Sequence, residues 1–282
     1  MAEPRFDRAA FESRLRTRIM GRHLIARAET ESTNDVAWEA LAQGLPDGTT
    51  AVADVQTRGR GRAGRSWQTE AGKGLALSLL MHAGCAPARV LGAARGVDAG
   101  RGVIPLAAGL ALARALERLG ARAELKWPND LQIGGRKVAG ILSESRSGGA
   151  GGPVAGDALV IGVGVNVGEA RADFAGALAD SATSLAIEGC ATTREAVAAE
   201  LLNAFEPLWN ELEEGDPAAV LAAWRERATF WGRAVRVRTP AGDVSGVATA
   251  LDSGGGLVIE RAGESVTVVA GDLELTAAPE SA

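Results

Sequence analysis

The chain has 282 residues, a formal net charge of −5, and 46% hydrophobic against 23% charged residues. That balance supports a buried core in one large domain, or one large and one small, and excludes global disorder. With a pI of 5.3, general nucleic-acid affinity is not expected, because phosphate binding of that kind needs a basic face.

The first twenty residues are charged throughout and carry no apolar signal region, and no run is long enough to span a membrane. A cytoplasmic protein is expected. Residues 6–20 read as a charged helix. Ser32, Thr33, Asn34 and Asp35 read as a helix start with a capping-box flavour, running to about Ala42 with Gly44 as its stop. Residues 49–56 are strand-like. Residues 59–67 read GRGRAGRSW and hold three arginines and three glycines. Gly59, Gly61 and Gly64 have dinucleotide-fingerprint spacing, but that fingerprint needs a helix immediately after it, and here Arg65, Ser66, Trp67 and a strand follow. The density of both residue types points instead to a mobile loop that closes over an anion: glycines let it open, and arginine forks grip phosphate or carboxylate when it shuts.

Residues 74–81 form the next strand. Pro105 opens an apolar helix that ends near Gly120. In KWPNDLQIGGRKVAGIL (126–142), Gly134 and Gly135 make a two-residue hairpin turn. Counting outward pairs Ile133 with Arg136, Gln132 with Lys137 and Asp130 with Ala139. Lys137 and Asp130 then share a face as diagonal neighbours, roughly 7–8 Å apart at the backbone. They form either a surface ion pair or part of a site, and Lys126 beside the same turn adds weight to the site. A flexible connection follows at 147–156. Residues 157–167 are a buried strand, with Ile161, Val163, Val165 and Val167 on one face and Gly162, Gly164 and Asn166 on the other. The glycine face is a trough that suits close approach of a ligand, or a bulky side chain filling it. Residues 193–209 and 216–228 are helical. After Trp231, short β-rich runs with turns at 241–243, 253–256 and 262–264 indicate a small antiparallel barrel. Cys85 and Cys190 have no CxxC partner, and His23 and His82 form no ligand cluster. Neither a disulfide framework nor a structural metal site is expected.

Five ordered motifs together resemble the biotin–protein ligase family: Ser32–Asn34, Gln56 before GRGRAGRSW, KWPND (126–130), KVAGIL (137–142) and GVGVN (162–166). The resemblance implies an α+β fold, with a mixed-sheet, class II synthetase-like catalytic domain at 23–230. A charged helical segment at 1–22 precedes it and an SH3-like barrel at 231–277 follows. It implies an enzyme that makes biotinyl-5′-adenylate from biotin and ATP with Mg²⁺, then passes biotin to a lysine of a biotin carboxyl carrier domain of a carboxylase. Ser32, Thr33, Asn34, Gln56, Gly59, Gly140 and Gly162 would line the biotin pocket. Arg60, Arg62 and Lys137 would contact both biotin's activated carboxylate and the phosphate. Trp67, Asn129 and Asn166 would join them around the nucleotide. Lys137, Arg62 and Asp130 would be catalytic, with Asp130 where the acceptor lysine arrives. No metal ligands are implied, and a homodimer is allowed.

Family members that also repress transcription carry an N-terminal winged-helix domain. Only about thirty residues precede Ser32, without a helix-turn-helix pattern, so DNA binding is not expected. Some relatives place a basic residue near the end of the last barrel strand, against the nucleotide, and residues 271–282 hold none. Two rival readings remain. Lipoate–protein ligase shares the fold and the adenylate chemistry. An RNA-binding module using the arginine-glycine loop lacks interleaved aromatics, since the chain has no tyrosine.

Overall fold

The computed structural model describes residues 5–82, 102–146 and 158–276. Its first sheet comprises β1 (Leu24–Thr30), β2 (Thr50–Gln56), β3 (Leu75–His82), β4 (Glu124–Lys126), β5 (Asp130–Ile133), β6 (Arg136–Arg146) and β7 (Ala158–Val165). Their spatial order is β1-β2-β3-β7-β6-β5-β4. β1 and β2 pair in parallel and the other neighbours pair antiparallel, which makes the sheet mixed. The helices are α1 (Arg8–Arg14), α2 (Thr33–Ala42), α3 (Val103–Arg118), the single turn α4 (Leu178–Ser181), α5 (Arg194–Glu213) and α6 (Ala218–Arg225).

Strand alternation divides the sheet into two faces. Leu75, Leu77, Leu79 and Met81 of β3, with Leu159, Ile161, Val163 and Val165 of β7, join α3 and α5 in the large core. Leu80, Ala158 and Val160 point the other way, under Ala37, Trp38, Ala40 and Leu41 of α2. Along this second face the β3–β7 register pairs Leu80 with Val160, Ser78 with Gly162 and Ala76 with Gly164. Side chains shrink toward the start of α2, and that taper opens a floor.

The N-terminal helix is shorter than its composition suggests. It starts at the Asp7 cap and stops at Arg14. Beyond it the Glu206 carboxylate accepts the backbone N–H groups of Arg18, Ile19 and Met20 (2.6, 2.8 and 3.0 Å). A buried carboxylate satisfied this way competes with helical bonding for the same donors. At the start of α2, Ser32 occupies the N-cap position, but its side chain makes no capping bond. α5 continues past Trp209 to Glu213. Pro207 removes one helical bond, yet Leu208, Trp209 and Leu212 stay buried and carry the helix on. α6 ends at Arg225 rather than near Ala228.

The second sheet holds β8 (Ala234–Thr239), β9 (Gly242–Leu251), β10 (Leu257–Arg261), β11 (Glu264–Val268) and β12 (Asp272–Leu275). Their order is β11-β10-β9-β8-β12, all antiparallel. This is the SH3-like barrel. It docks closely on the first sheet's domain. Trp127 Nε1 donates to the Gly255 carbonyl (3.0 Å), and a Cβ on Gly102 would lie 2.4 Å from the Gly254 carbonyl. Trp224 meets Phe230 and Trp231 edge-to-face, and the latter two lie tilted against each other. Cys190 is a free, buried thiol. The expected connection at 147–156 and Cys85 lie outside the described residues.

Candidate active site

A cavity of about 340 Å³ opens on the small-residue floor. Every site residue expected from the sequence lines it except Gly59. Gly59 lies behind the wall, where a Cβ would sit 2.3 Å from the Trp67 carbonyl and 2.9 Å from Gln56 Nε2.

One end of the cavity is uncharged. Gln56 Oε1 accepts from the Thr33 N–H (2.8 Å) and hydroxyl (3.1 Å). Ser78 Oγ donates to Asn34 Oδ1 (2.6 Å) and lies 2.7 Å from Thr33 Oγ1. Asn34 Nδ2 is buried with no acceptor among the described residues. Ser78 was not singled out from the sequence; its signal is one hydroxyl inside the apolar run LALSLLM. Asn34 also explains Gly162, because a Cβ there would lie 2.5 Å from Asn34 Oδ1.

The arginine-glycine loop folds over this end as a short hairpin. Gly61 N donates to the Arg65 carbonyl (2.7 Å) and Trp67 N to the Gly59 carbonyl (2.9 Å). A 3₁₀ turn at Arg62–Gly64 forms the tip, with Ala63 and Gly64 at φ 54° and 73°. Each arginine has its own acceptor on a different element. Arg60 forks onto Asp35 of α2 (2.8 Å, two bonds) and reaches Glu144 of β6 (3.2 Å). The bond to Asp35, opposed by burial and reinforced by Glu144, raises its pKa above the ordinary arginine value. Arg60 is thus engaged by carboxylates rather than aimed freely at a phosphate site. Arg65 Nη2 donates to Asp272 of β12 (2.6 Å).

Arg62 differs. It donates to Asn129 Oδ1 (3.1 Å), and among the described residues no carboxylate is in ion-pair contact with it. Burial lowers its pKa, while the more distant Asp272 and Asp130 oppose that shift. A half-buried guanidinium with one neutral partner is a ready anion site.

The hairpin supplies the second cation. Ile133 pairs with Arg136 and Gln132 with Lys137, as counted from the Gly134–Gly135 turn. A bulge then intervenes, so Asp130 lies opposite Gly140 and not Ala139. The extra residue leaves the ladder one step out of register. Lys137 Nζ nevertheless reaches Asp130 Oδ1 (2.6 Å). It does so by lying across Gly140, where a Cβ would stand 3.1 Å from both Lys137 Cε and Nζ. Asn129 is held by its Nδ2 bond to the Ile141 carbonyl (2.8 Å).

The glycine trough is partly filled. The Trp67 indole lies directly on Gly164, with Cε2 2.3 Å from where a Cβ would be, and 5.8 Å from Lys137 Nζ. Close approach at Gly164 is therefore made by a side chain of the loop itself. Asn166 sits at the far end, its Nδ2 donating to the Thr183 carbonyl (2.9 Å).

Glu169, which the sequence did not flag, is a further wall residue. It is buried, and its Oε2 has no partner among the described residues. Burial pushes its pKa up from 4.5 to about 7. Since the folded pKa exceeds the unfolded one, the stabilising proton is fully present below about 4.5 and is lost as pH rises through 7. Glu169→Gln is expected to abolish that group's contribution to the slope, whereas in the parent it should cost roughly 3 kcal/mol between pH 4.5 and 8. Denaturant titrations across this range check it. Equal slopes in both proteins would show that Glu169 is not the titrating group.

A family model described as "Biotin/lipoate A/B protein ligase family" matches residues 26–166, and one described as "Biotin protein ligase C terminal domain" matches residues 230–275. The chain is 34% identical over 274 residues to the biotin–[acetyl-CoA-carboxylase] ligase of Mycobacterium tuberculosis, covering 93% of this chain and 94% of that protein. It is 31% identical over 266 residues to the bifunctional ligase/repressor BirA of Bacillus spizizenii, covering 93% of this chain and 76% of the relative. Among solved structures, the biotin protein ligase of Aquifex aeolicus in complex with biotin and ATP superposes with a TM-score of 0.71 at 26% identity, covering 91% of this chain and all of that one.

Proposed function

The chain belongs to the biotin/lipoate A/B protein ligase family, and on that footing we propose that it is an ATP-dependent biotin–protein ligase. The carboxylate oxygen of biotin attacks the α-phosphorus of ATP and pyrophosphate leaves. The Nζ of a lysine on a biotin carboxyl carrier domain then attacks the acyl carbon and AMP leaves. The observation that carries this reading is the convergence of Arg62 and Lys137, from distant parts of the chain, on one cavity with an uncharged end.

Two anions must meet before the first step, so cations are needed where their charges are pressed together. We assign that work to Arg62 and Lys137. Ser32, Thr33, Asn34, Gln56 and Gly162 would receive biotin's ring end, where the unpartnered Asn34 Nδ2 suits a carbonyl acceptor. Gly59 would shape that wall from behind. Trp67, Asn129 and Asn166 would face the nucleotide, and Gly140 would keep the path of Lys137 clear. Arg60 would fix the loop's stem against α2 and β6. Asp130, already beside Lys137, would meet the incoming amine. Mg²⁺ would enter with the triphosphate of ATP. Every group invoked comes from one chain, so a homodimer is not needed for the chemistry. Among the described residues no helix is long and apolar enough to cross a membrane.

Incubation with biotin, Mg²⁺-ATP and a biotin carrier domain, followed by an avidin blot, tests the assignment. A parallel arm with lipoate in place of biotin tests the related acid. A band dependent on biotin and ATP is expected. Labelling with lipoate alone would overturn the biotin assignment.

A further inference from the structure

Arg65 of the arginine-glycine loop reaches the C-terminal barrel. Arg65 Nη2 donates to Asp272 Oδ1 at 2.6 Å, while Arg65 Nε donates to the Arg62 carbonyl at 3.2 Å. A single guanidinium thus ties the barrel to the backbone of the one loop arginine that lacks a carboxylate in ion-pair contact among the described residues. Asp272 is available for this because its cross-strand neighbour Arg238 is already paired with Glu274 (2.8 Å). The barrel is a firm anchor, since Trp127 Nε1 and the Gly102–Gly254 contact fix it to the catalytic core. The Asp272 field also favours the charged form of Arg62.

We propose that Asp272 and Arg65 are positioning residues that hold Arg62 over the cavity, so that the barrel takes part in closing the loop. Its bearing on adenylate retention rests on the biotin ligase reading; its bearing on loop closure does not. The pair is exposed, with side-chain exposures of 57% for Arg65 and 44% for Asp272. An exposed pair contributes little to global stability, and its loss is expected to change loop occupancy by only about two- to fivefold.

The experiment compares the parent, Asp272→Asn, Asp272→Arg and the exchange Arg65→Asp/Asp272→Arg. Two readouts are used: tryptic cleavage after Arg62 in the ligand-free protein, and release of biotinyl-adenylate. Asp272→Asn should raise the cleavage and release rates about two- to fivefold. Asp272→Arg should raise them further; the exchange restores the loop–barrel ion pair but not the bond to the Arg62 carbonyl, which an aspartate cannot donate, so it should recover only part of the loss, with thermal midpoints unchanged throughout. A generic packing defect would not be repaired by exchanging the charges. Parent-like cleavage in Asp272→Asn, or an exchange variant no better than Asp272→Arg, would overturn the proposal. If the parent forms no adenylate, the ligase reading fails, while the cleavage series still decides the latch.

Discussion

Replacing Lys137 with alanine is expected to slow biotinyl-adenylate formation by about 10²–10³-fold while the fold survives, the usual cost of deleting one donor aimed at developing transition-state charge. Lys137 leaves the backbone one residue before the β6 ladder slips, crosses Gly140 and ends beside Asp130 (2.6 Å) at the cavity wall. Its ammonium is partly exposed, so its removal takes little from the core. The same charge serves the second step. A free lysine with a pKa near 10.4 is neutral in only about one molecule in 2,500 at pH 7, and a neighbouring cation lowers that barrier for the acceptor amine. Adenylate synthesis measured by pyrophosphate release, with a thermal midpoint as a fold control, checks the expectation. Wild-type rates in a folded variant would remove Lys137 from the mechanism.

Arg62→Gly is expected to weaken retention of the adenylate more than its synthesis. One charge-assisted hydrogen bond to a phosphate is worth about 1.5–3 kcal/mol, so release should quicken roughly 10- to 150-fold. Lys137 still supports synthesis. The escaped mixed anhydride then acylates exposed lysines without selection, and serum albumin added to the reaction should become biotinylated. At equal enzyme with biotin and ATP present, background labelling together with parent-like retention would show that Arg62 is not the latch. The ion pairs set this residue apart: Arg60 and Arg65 are each held by carboxylates, whereas Arg62 donates to Asn129 and has no carboxylate in ion-pair contact among the described residues.

The parts of the site readable in the sequence are those carried by short-range pattern. Alternation in 157–167 assigned Ile161, Val163 and Val165 to the core and the glycines to the opposite face, because a strand's period of two leaves no third choice. The Gly134–Gly135 turn placed Lys137 near Asp130. The slip after Gln132 was not legible, since a bulge inserts no distinctive residue type and shows only when both strands are seen paired. The trough's occupant was left open between a ligand and a side chain; nothing near Gly164 in sequence announces Trp67. Partners distant in sequence were equally hidden: Asp35 and Glu144 for Arg60, Asp272 for Arg65, Ser78 for Asn34. Glu169 carries no pattern that marks it in the sequence, and burial is what raises its pKa.

The spacing of the site's polar contacts also orders their assembly. Lys137 and Asp130 are seven residues apart, Arg62 and Asn129 are 67, and Arg65 and Asp272 are 207. Closing a long loop costs more chain entropy than closing a short one, and local contacts form first in folding. The hairpin carrying the lysine is therefore expected to close first, the loop arginine's contact to follow once β2 and β3 have paired, and the barrel contact to close last. A refolding chain should acquire hydrogen-exchange protection at Ile141, whose amide donates to the Asn129 carbonyl (2.8 Å), before it acquires protection at Gly61 and Trp67.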